Sequence, residues 1–199
     1  HGCAHHMQTP AMIGAAMALR GVLESSDQPF EIHVIGTPSE ESLDGGKNEM
    51  AAHGGFDHID VAFMVHGSTL TQLETPSLAL IEMDVEFHGK TAHAGIAPYA
   101  GRSAVDAVTM LETGLGLMRN HLKDSSRVSN IVLAGGTAVN SVPDFAKVKV
   151  EIRHSSMAYL ESVEQWTREI AQAAAMATQT QVQITSVAHI YNTTINDAM

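Results

Sequence analysis

Two hydrophobic rhythms share this chain, and one gives way to the other near residue 76. Before that point, Met12, Ile13, Ala16, Met17, Leu19, Val22 and Leu23 mark one face of a helix over residues 9–23. Thr9-Pro10 reads as its N-cap and first-turn proline. Residues 30–35 read as a strand ending at Gly36-Thr37-Pro38. Residues 44–52 form a short helix that His53-Gly54-Gly55 stops. Residues 61–65 are apolar at every position, the pattern of a strand covered on both faces. Helix, strand, helix, strand in this order predicts part of a parallel α/β sheet.

Beyond residue 76 the period becomes two. Ile81, Met83, Val85 and Phe87 alternate with Glu82, Asp84, Glu86 and His88, as in a strand with one solvated face. An amphipathic helix over 102–122 follows, through Val105, Val108, Met110, Leu111, Leu115 and Met118. Then come a strand over 128–133, a Gly135-Gly136 turn, a strand over 145–153, a helix over 157–178 and a strand over 181–190. The order β-α-β-β-α-β is that of a ferredoxin-like module. The expected division is an α/β segment over 1–75, the inserted module over 76–190 and a return segment over 191–199.

Composition narrows the function classes. The chain has 199 residues, with 22 acidic and 11 basic side chains and a formal net charge of -11. That balance argues against nucleic-acid and anionic-membrane surfaces, which need clustered Lys and Arg. No apolar run approaches the roughly 18–20 residues of a membrane span. One cysteine excludes an internal disulfide and fits a reducing, cytoplasmic compartment. The chain starts at His1, inside a motif and without Met, so it is expected to be a segment of a longer protein.

Four features fall at the ends of the expected α/β elements, where open parallel sheets place their ligand sites. Cys3 and His5, flanked by His1 and His6, precede the first helix. Glu40-Glu41 follows the first strand, and His66 ends the second. His93 lies in the glycine-bounded loop Gly89-Lys90-Thr91-Ala92-His93-Ala94. Taken singly, each has an ordinary explanation: a buried thiol, solvated charge, a core histidine, a surface histidine. Together Cys3, His5, Glu41 and His66 supply a thiolate, two imidazoles and a carboxylate to a borderline divalent metal. The adjacent Glu40 offers a carboxylate for proton transfer. The combination points to a metal hydrolase.

These motifs resemble the zinc/manganese-dependent aminoacylase and carboxypeptidase family, which includes the auxin-conjugate, carboxypeptidase G-type and aminobenzoyl-glutamate hydrolases. His1-Gly2-Cys3-Ala4-His5 looks like its His-Ala-Cys-Gly-His, and Gly36-Thr37-Pro38-Ser39-Glu40-Glu41 like its Gly-Thr-Pro-Ala-Glu-Glu. The segments 60–66, 89–94 and 135–144 match its second strand motif and its lid domain. The resemblance covers nearly the whole chain. It implies two divalent ions, Zn or Mn, held by Cys3, His5, Glu41 and His66, with the Cys3 thiolate bridging them. It implies Glu40 as general base for a metal-activated water, and His93 as oxyanion stabiliser, often across a dimer. Asn140 and Arg153 take the positions that hold a substrate carboxylate, although Arg153 also reads as a solvated arginine at the end of an alternating strand. The implied substrates are N-acyl or N-aroyl amino acids or dipeptides, and the implied assembly is a homodimer through the lid.

The chain departs from the family pattern at several points. His6 stands where the family has Asp or Asn, Ala4 replaces Gly and Ser39 replaces Ala. Ala97-Pro98-Tyr99 places the chain nearer the aminobenzoyl-glutamate branch. The family's last histidine ligand has no counterpart, and His189 comes too early to serve. Two other readings remain open here: a catalytically incomplete dimerisation module, and a metal-storage protein drawing on the 12 histidines. The latter leaves Glu40-Glu41 and the lid motif unexplained.

Overall fold

The computed structural model describes residues 2–41, 45–73 and 76–194. The chain divides into two compact units, residues 1–73 and 74–199.

In the first unit, helix α1 (His5–Leu23) begins four residues before the expected start, so Pro10 lies inside it. Thr9 is therefore not the cap. That place falls to Ala4, which turns the chain in a left-handed conformation (φ 57) and caps with no side-chain bond. Helix α2 (Gly46–Ala52) follows; its expected first residue, Asp44, lies outside the described residues. The two strands expected at 30–35 and 61–65 are not formed among the described residues. Phe30, Val34, Val61, Phe63 and Val65 are exposed. A central parallel strand exists only when neighbours take up its backbone groups and helices cover both faces, and no such neighbour pairs with either segment among the described residues.

The second unit is the expected module. Strands β1 (Ala79–His88), β2 (Arg127–Ala134), β3 (Phe145–His154) and β4 (Gln181–Ile190) form one antiparallel sheet in the order β2-β3-β1-β4. Helices α3 (Ala104–Arg119) and α4 (Met157–Thr178) pack on one face. Each helix starts on a serine cap: Ser103 accepts from the Asp106 amide and Ser156 from the Tyr159 amide. The period-two pattern then sorts the strands. Ile81, Met83, Val85 and Phe87 of β1 and Val148, Val150 and Ile152 of β3 are fully buried against Leu111, Leu115, Met118 and Leu160. Each such side chain contributes about 1.5–3 kcal/mol by leaving water.

The opposite face carries charge in register. Asp84 pairs across from Lys149 and Glu86 from Lys147. The Lys147 ammonium lies 2.7 Å from Asp84 and 2.9 Å from Glu86, and Lys149 binds Glu82. Hydrogen bonds to Asp84 and Glu86 raise the Lys147 pKa, and the bond to Glu82 raises that of Lys149. At the module's ends, the Ser77 amide bonds to Thr193 Oγ1 and the Thr193 amide to Ser77 Oγ, both at 2.8 Å. The chain enters and leaves this unit at one point.

Candidate metal centre and substrate loop

Four loop and helix-end positions of the first unit converge. Ala4 turns the chain between Cys3 and His5, and Ser39 (φ 58) turns it before Glu40-Glu41. Two non-glycine residues in left-handed backbone, both beside candidate ligands, are the kind of local strain that functional sites retain. Two donors bound about 2.0–2.3 Å from one tetrahedral ion stand about 3.4–3.6 Å apart. Cys3 Sγ lies 3.6 Å from His66 Nε2. His5 Nδ1 lies 3.4 Å from Glu40 Oε2 and 3.3 Å from Glu41 Oε1. The rings of His5 and His66 meet edge to face at 5.4 Å. Cys3, His5 and His66 form one group of mutually close donors, and His5, Glu40 and Glu41 form another.

His66 is also oriented for ligation. Its Nδ1–H donates to the Gly67 carbonyl at 2.8 Å, which leaves the Nε2 lone pair facing Cys3. A backbone acceptor on the far nitrogen is what ligating histidines ordinarily have. The donor set of thiolate, imidazole and carboxylate suits zinc, and its oxygen and nitrogen members suit manganese. The residues therefore fit a divalent ion. Glu40 and Glu41 lie equally close to His5, so their division into base and ligand rests on the motif.

The second unit builds a separate loop cluster. Ala94 N–H donates to Asn140 O at 2.9 Å, Val142 N–H to Ala92 O at 2.9 Å, and His93 bridges to Ser141. The His93 and Asn140 segments are thus joined. Gly95 N–H donates to His93 Nδ1 at 3.2 Å, which places the proton of the neutral ring on Nε2. Gly89 permits the approach of the next segment, because a Cβ there would stand 2.0 Å from the Arg102 carbonyl oxygen. Ser141 also lines a hollow of about 350 Å³, with Val105, Gly136, Ala138, Val139 and Pro143.

Arg153 does not join this cluster. It lies eight residues along β3 from Phe145, which pairs with His88 beside the His93 loop. At about 3.4 Å per residue that is about 27 Å. Its guanidinium grips Glu151 with both arms, at 2.7 and 3.1 Å. That bond raises its pKa against an opposing burial effect. Arg102 and Gln179 carry no motif that sequence reasoning could use. Yet Arg102 Nε donates to Gln179 Oε1 at 2.6 Å and holds the His93 loop to the end of α4.

The model of the peptidase dimerisation domain of the M20 family matches residues 79–181. The chain belongs to this M20 family. Curated relatives match through both units. An Xaa-Arg dipeptidase from Mus musculus is 34% identical over 193 residues, covering 96% of this chain and 44% of its own length. A p-aminobenzoyl-glutamate hydrolase polypeptide from Escherichia coli is 33% identical over 205 residues, covering all of this chain and 42% of its own length. The crystal structure of an aminobenzoyl-glutamate utilization protein from Klebsiella pneumoniae superposes with a TM-score of 0.56 at 30% identity. It covers 61% of this chain and 31% of that one. The chain therefore spans half or less of the length of the curated relatives it matches. The resemblance read from the motifs and the ferredoxin-like lid/dimerisation fold are both borne out. M20 peptidases are metal-dependent, and no helix among the described residues is long and apolar enough to cross a membrane.

Proposed function

We propose that this chain supplies the metal-binding half-site and the lid of a metal-dependent amidohydrolase cleaving N-acyl or N-aroyl amino acids or dipeptides. The observation that carries the reading is the convergence of donors: Cys3 Sγ stands 3.6 Å from His66 Nε2 and His5 Nδ1 3.3 Å from Glu41 Oε1, the spacing of ligands that share an ion, and His5 belongs to both groups of close donors. Two divalent ions, Zn or Mn, bound there would polarise an amide carbonyl and lower the pKa of water. Glu40 takes the proton of the attacking water and returns it to the leaving amine. The His93 Nε2–H donates to the oxygen on which charge develops. Asn140 and Arg153 bind substrate carboxylate.

The distance of about 27 Å along β3 keeps Arg153 from sharing one small substrate with His93 and Asn140 of the same module. This supports a homodimer in which each site draws on two lids. The partner is a second copy, and the surface we assign to it is the free edge of β2. There Ile131, Val132 and Leu133 are exposed and no strand lies outside them among the described residues. The match of residues 79–181 to a dimerisation domain favours a second reading, a dimerisation module without chemistry of its own.

Metal analysis and turnover of the intact protein separate the two. Glu40→Gln is expected to retain the metal and to lose about 10²–10⁴ in kcat, and Cys3→Ser to lose metal. An intact protein that binds no zinc or manganese leaves only the dimerisation reading.

A further inference from the structure

We propose that Arg102 and Gln179 are positioning residues for His93, and that the pair acts on turnover through the His93 ring. The inference rests on the amidohydrolase reading, in which His93 donates to the oxygen that gains charge. Arg102 is the residue at which the His93 loop closes. Its backbone pairs both ways with Lys90, each N–H donating to the other's carbonyl at 2.8 Å. Its side chain reaches three acceptors: Nη1 meets the carbonyls of Tyr99 at 3.2 Å and Gly101 at 2.6 Å, and Nε meets Gln179 Oε1 at 2.6 Å. A run of backbone bonds leads from there to the ring. Ala100 N–H donates to Ala97 O and Ala97 N–H to His93 O, both at 3.0 Å, and Gly95 N–H donates to His93 Nδ1. Gly101 is buried against the residue before His93, since a Cβ on it would stand 3.1 Å from Ala92 Cβ.

The chemistry of the pair fits this task. The acceptors of Arg102 among the described residues are all neutral, so the guanidinium serves as a rigid fork of donors and not as an ion-pair partner. Gln179 ends α4 in left-handed backbone (φ 56), a conformation that costs any residue with a β-carbon and that glycine adopts freely. Helices commonly end on glycine there. Here the residue is a glutamine with its side chain engaged, and strain retained in this way marks a functional constraint. The end of α4 is itself fixed, because Ala171, Ala174 and Ala175 lie in the core and Thr180 N–H donates to Ala175 O at 3.0 Å. Arg102 thus refers an exposed loop to the packed interior of the module. A donor to a developing oxyanion must stand at hydrogen-bond distance from it, and a misplacement of about 1 Å costs about 10²-fold.

The test uses the intact zinc-loaded protein with N-benzoyl-glutamate as probe substrate. Gln179→Gly removes the acceptor and suits the left-handed backbone, so melting temperature and metal content are expected to hold while kcat falls about ten- to a hundredfold. Gln179→Glu keeps an acceptor at the same reach and is expected to keep turnover. Arg102→Lys keeps the charge, loses the fork and is expected to behave like Gln179→Gly. Because the pair acts through the ring, Gln179→Gly is expected to cost little further once His93 is alanine. Wild-type kcat in Gln179→Gly, or an equal loss with and without the His93 ring, overturns the proposal. Nitrogen-15 shifts of the His93 ring separate it from the hydrolase reading. The wild type should show one tautomer, protonated on Nε2, and Gln179→Gly a mixture of the two. A wild type that does not hydrolyse the probe sinks the hydrolase reading, and the mixed tautomer then still upholds the positioning. A ring signature unchanged by Gln179→Gly overturns the positioning whatever the turnover.

Discussion

Ala4 occupies left-handed backbone at φ 57, between two candidate ligands, where the resembling family has glycine. A β-carbon costs about 1–2 kcal/mol in that conformation, partly offset because alanine also restrains the unfolded chain. Ala4→Gly is therefore expected to stabilise the protein by about 1 kcal/mol in urea unfolding, with metal stoichiometry unchanged. A loss of stability would mean that the turn is not strained. Cys3, His5, Glu40, Glu41 and His66 were legible as a group because thiol, imidazole and carboxylate recur at element ends. The Gly95 amide that sets the His93 tautomer was not legible, because a backbone donor leaves no mark in residue type.

At the scale of elements, α3 and α4 approach closely at one residue. A Cβ on Gly114 would stand 2.4 Å from Ile170 Cγ2, whereas one on Gly116 would meet nothing within 4 Å. Ile170 is β-branched and yields little. Gly114→Ala is expected to destabilise by about 1–3 kcal/mol and Gly116→Ala to stabilise by about 0.5–1 kcal/mol, both read from chemical denaturation. Helix α4 is tied to the edge strand β4 through Glu164, whose carboxylate accepts from Arg168 and Ser186 at 2.7 Å and lies 3.7 Å from His189. Burial works to raise the Glu164 pKa, but the bonds from Ser186 and Arg168 outweigh it and hold the group below the ordinary 4.5. A depressed carboxyl stabilises the fold above its unfolded pKa and ceases to do so as pH falls through its folded value. Glu164→Gln is expected to cost about 1–2 kcal/mol at pH 7, with the difference from wild type shrinking as pH falls below the ordinary 4.5. A pH-independent difference would assign the loss to packing.

At the scale of the molecule, the β2 edge makes assembly testable. Ile131→Asp with Leu133→Asp places two charges on that edge, and sedimentation should then show monomers where the wild type dimerises. A dimer that persists would move the interface elsewhere. Because the Arg153 site and the His93–Asn140 loop lie at opposite ends of β3, the monomeric variant is also expected to lose turnover while retaining metal.

The sequence by itself determined the second unit almost residue for residue. Alternation and helical spacing are local, and the strands and helices that satisfy them all lie within residues 79–190. It determined which side chains are candidate metal donors for the same reason, since donor chemistry belongs to the side chain. Tertiary structure decided the rest. Apolar runs at 30–35 and 61–65 become strands only when neighbouring strands accept their backbone groups, a condition their own residues cannot impose. Likewise, only the fold draws Cys3 to within 3.6 Å of His66, 63 residues away. Only strand register sets Arg153 far from His93, because spacing along the chain carries no information about which end of a sheet a residue reaches.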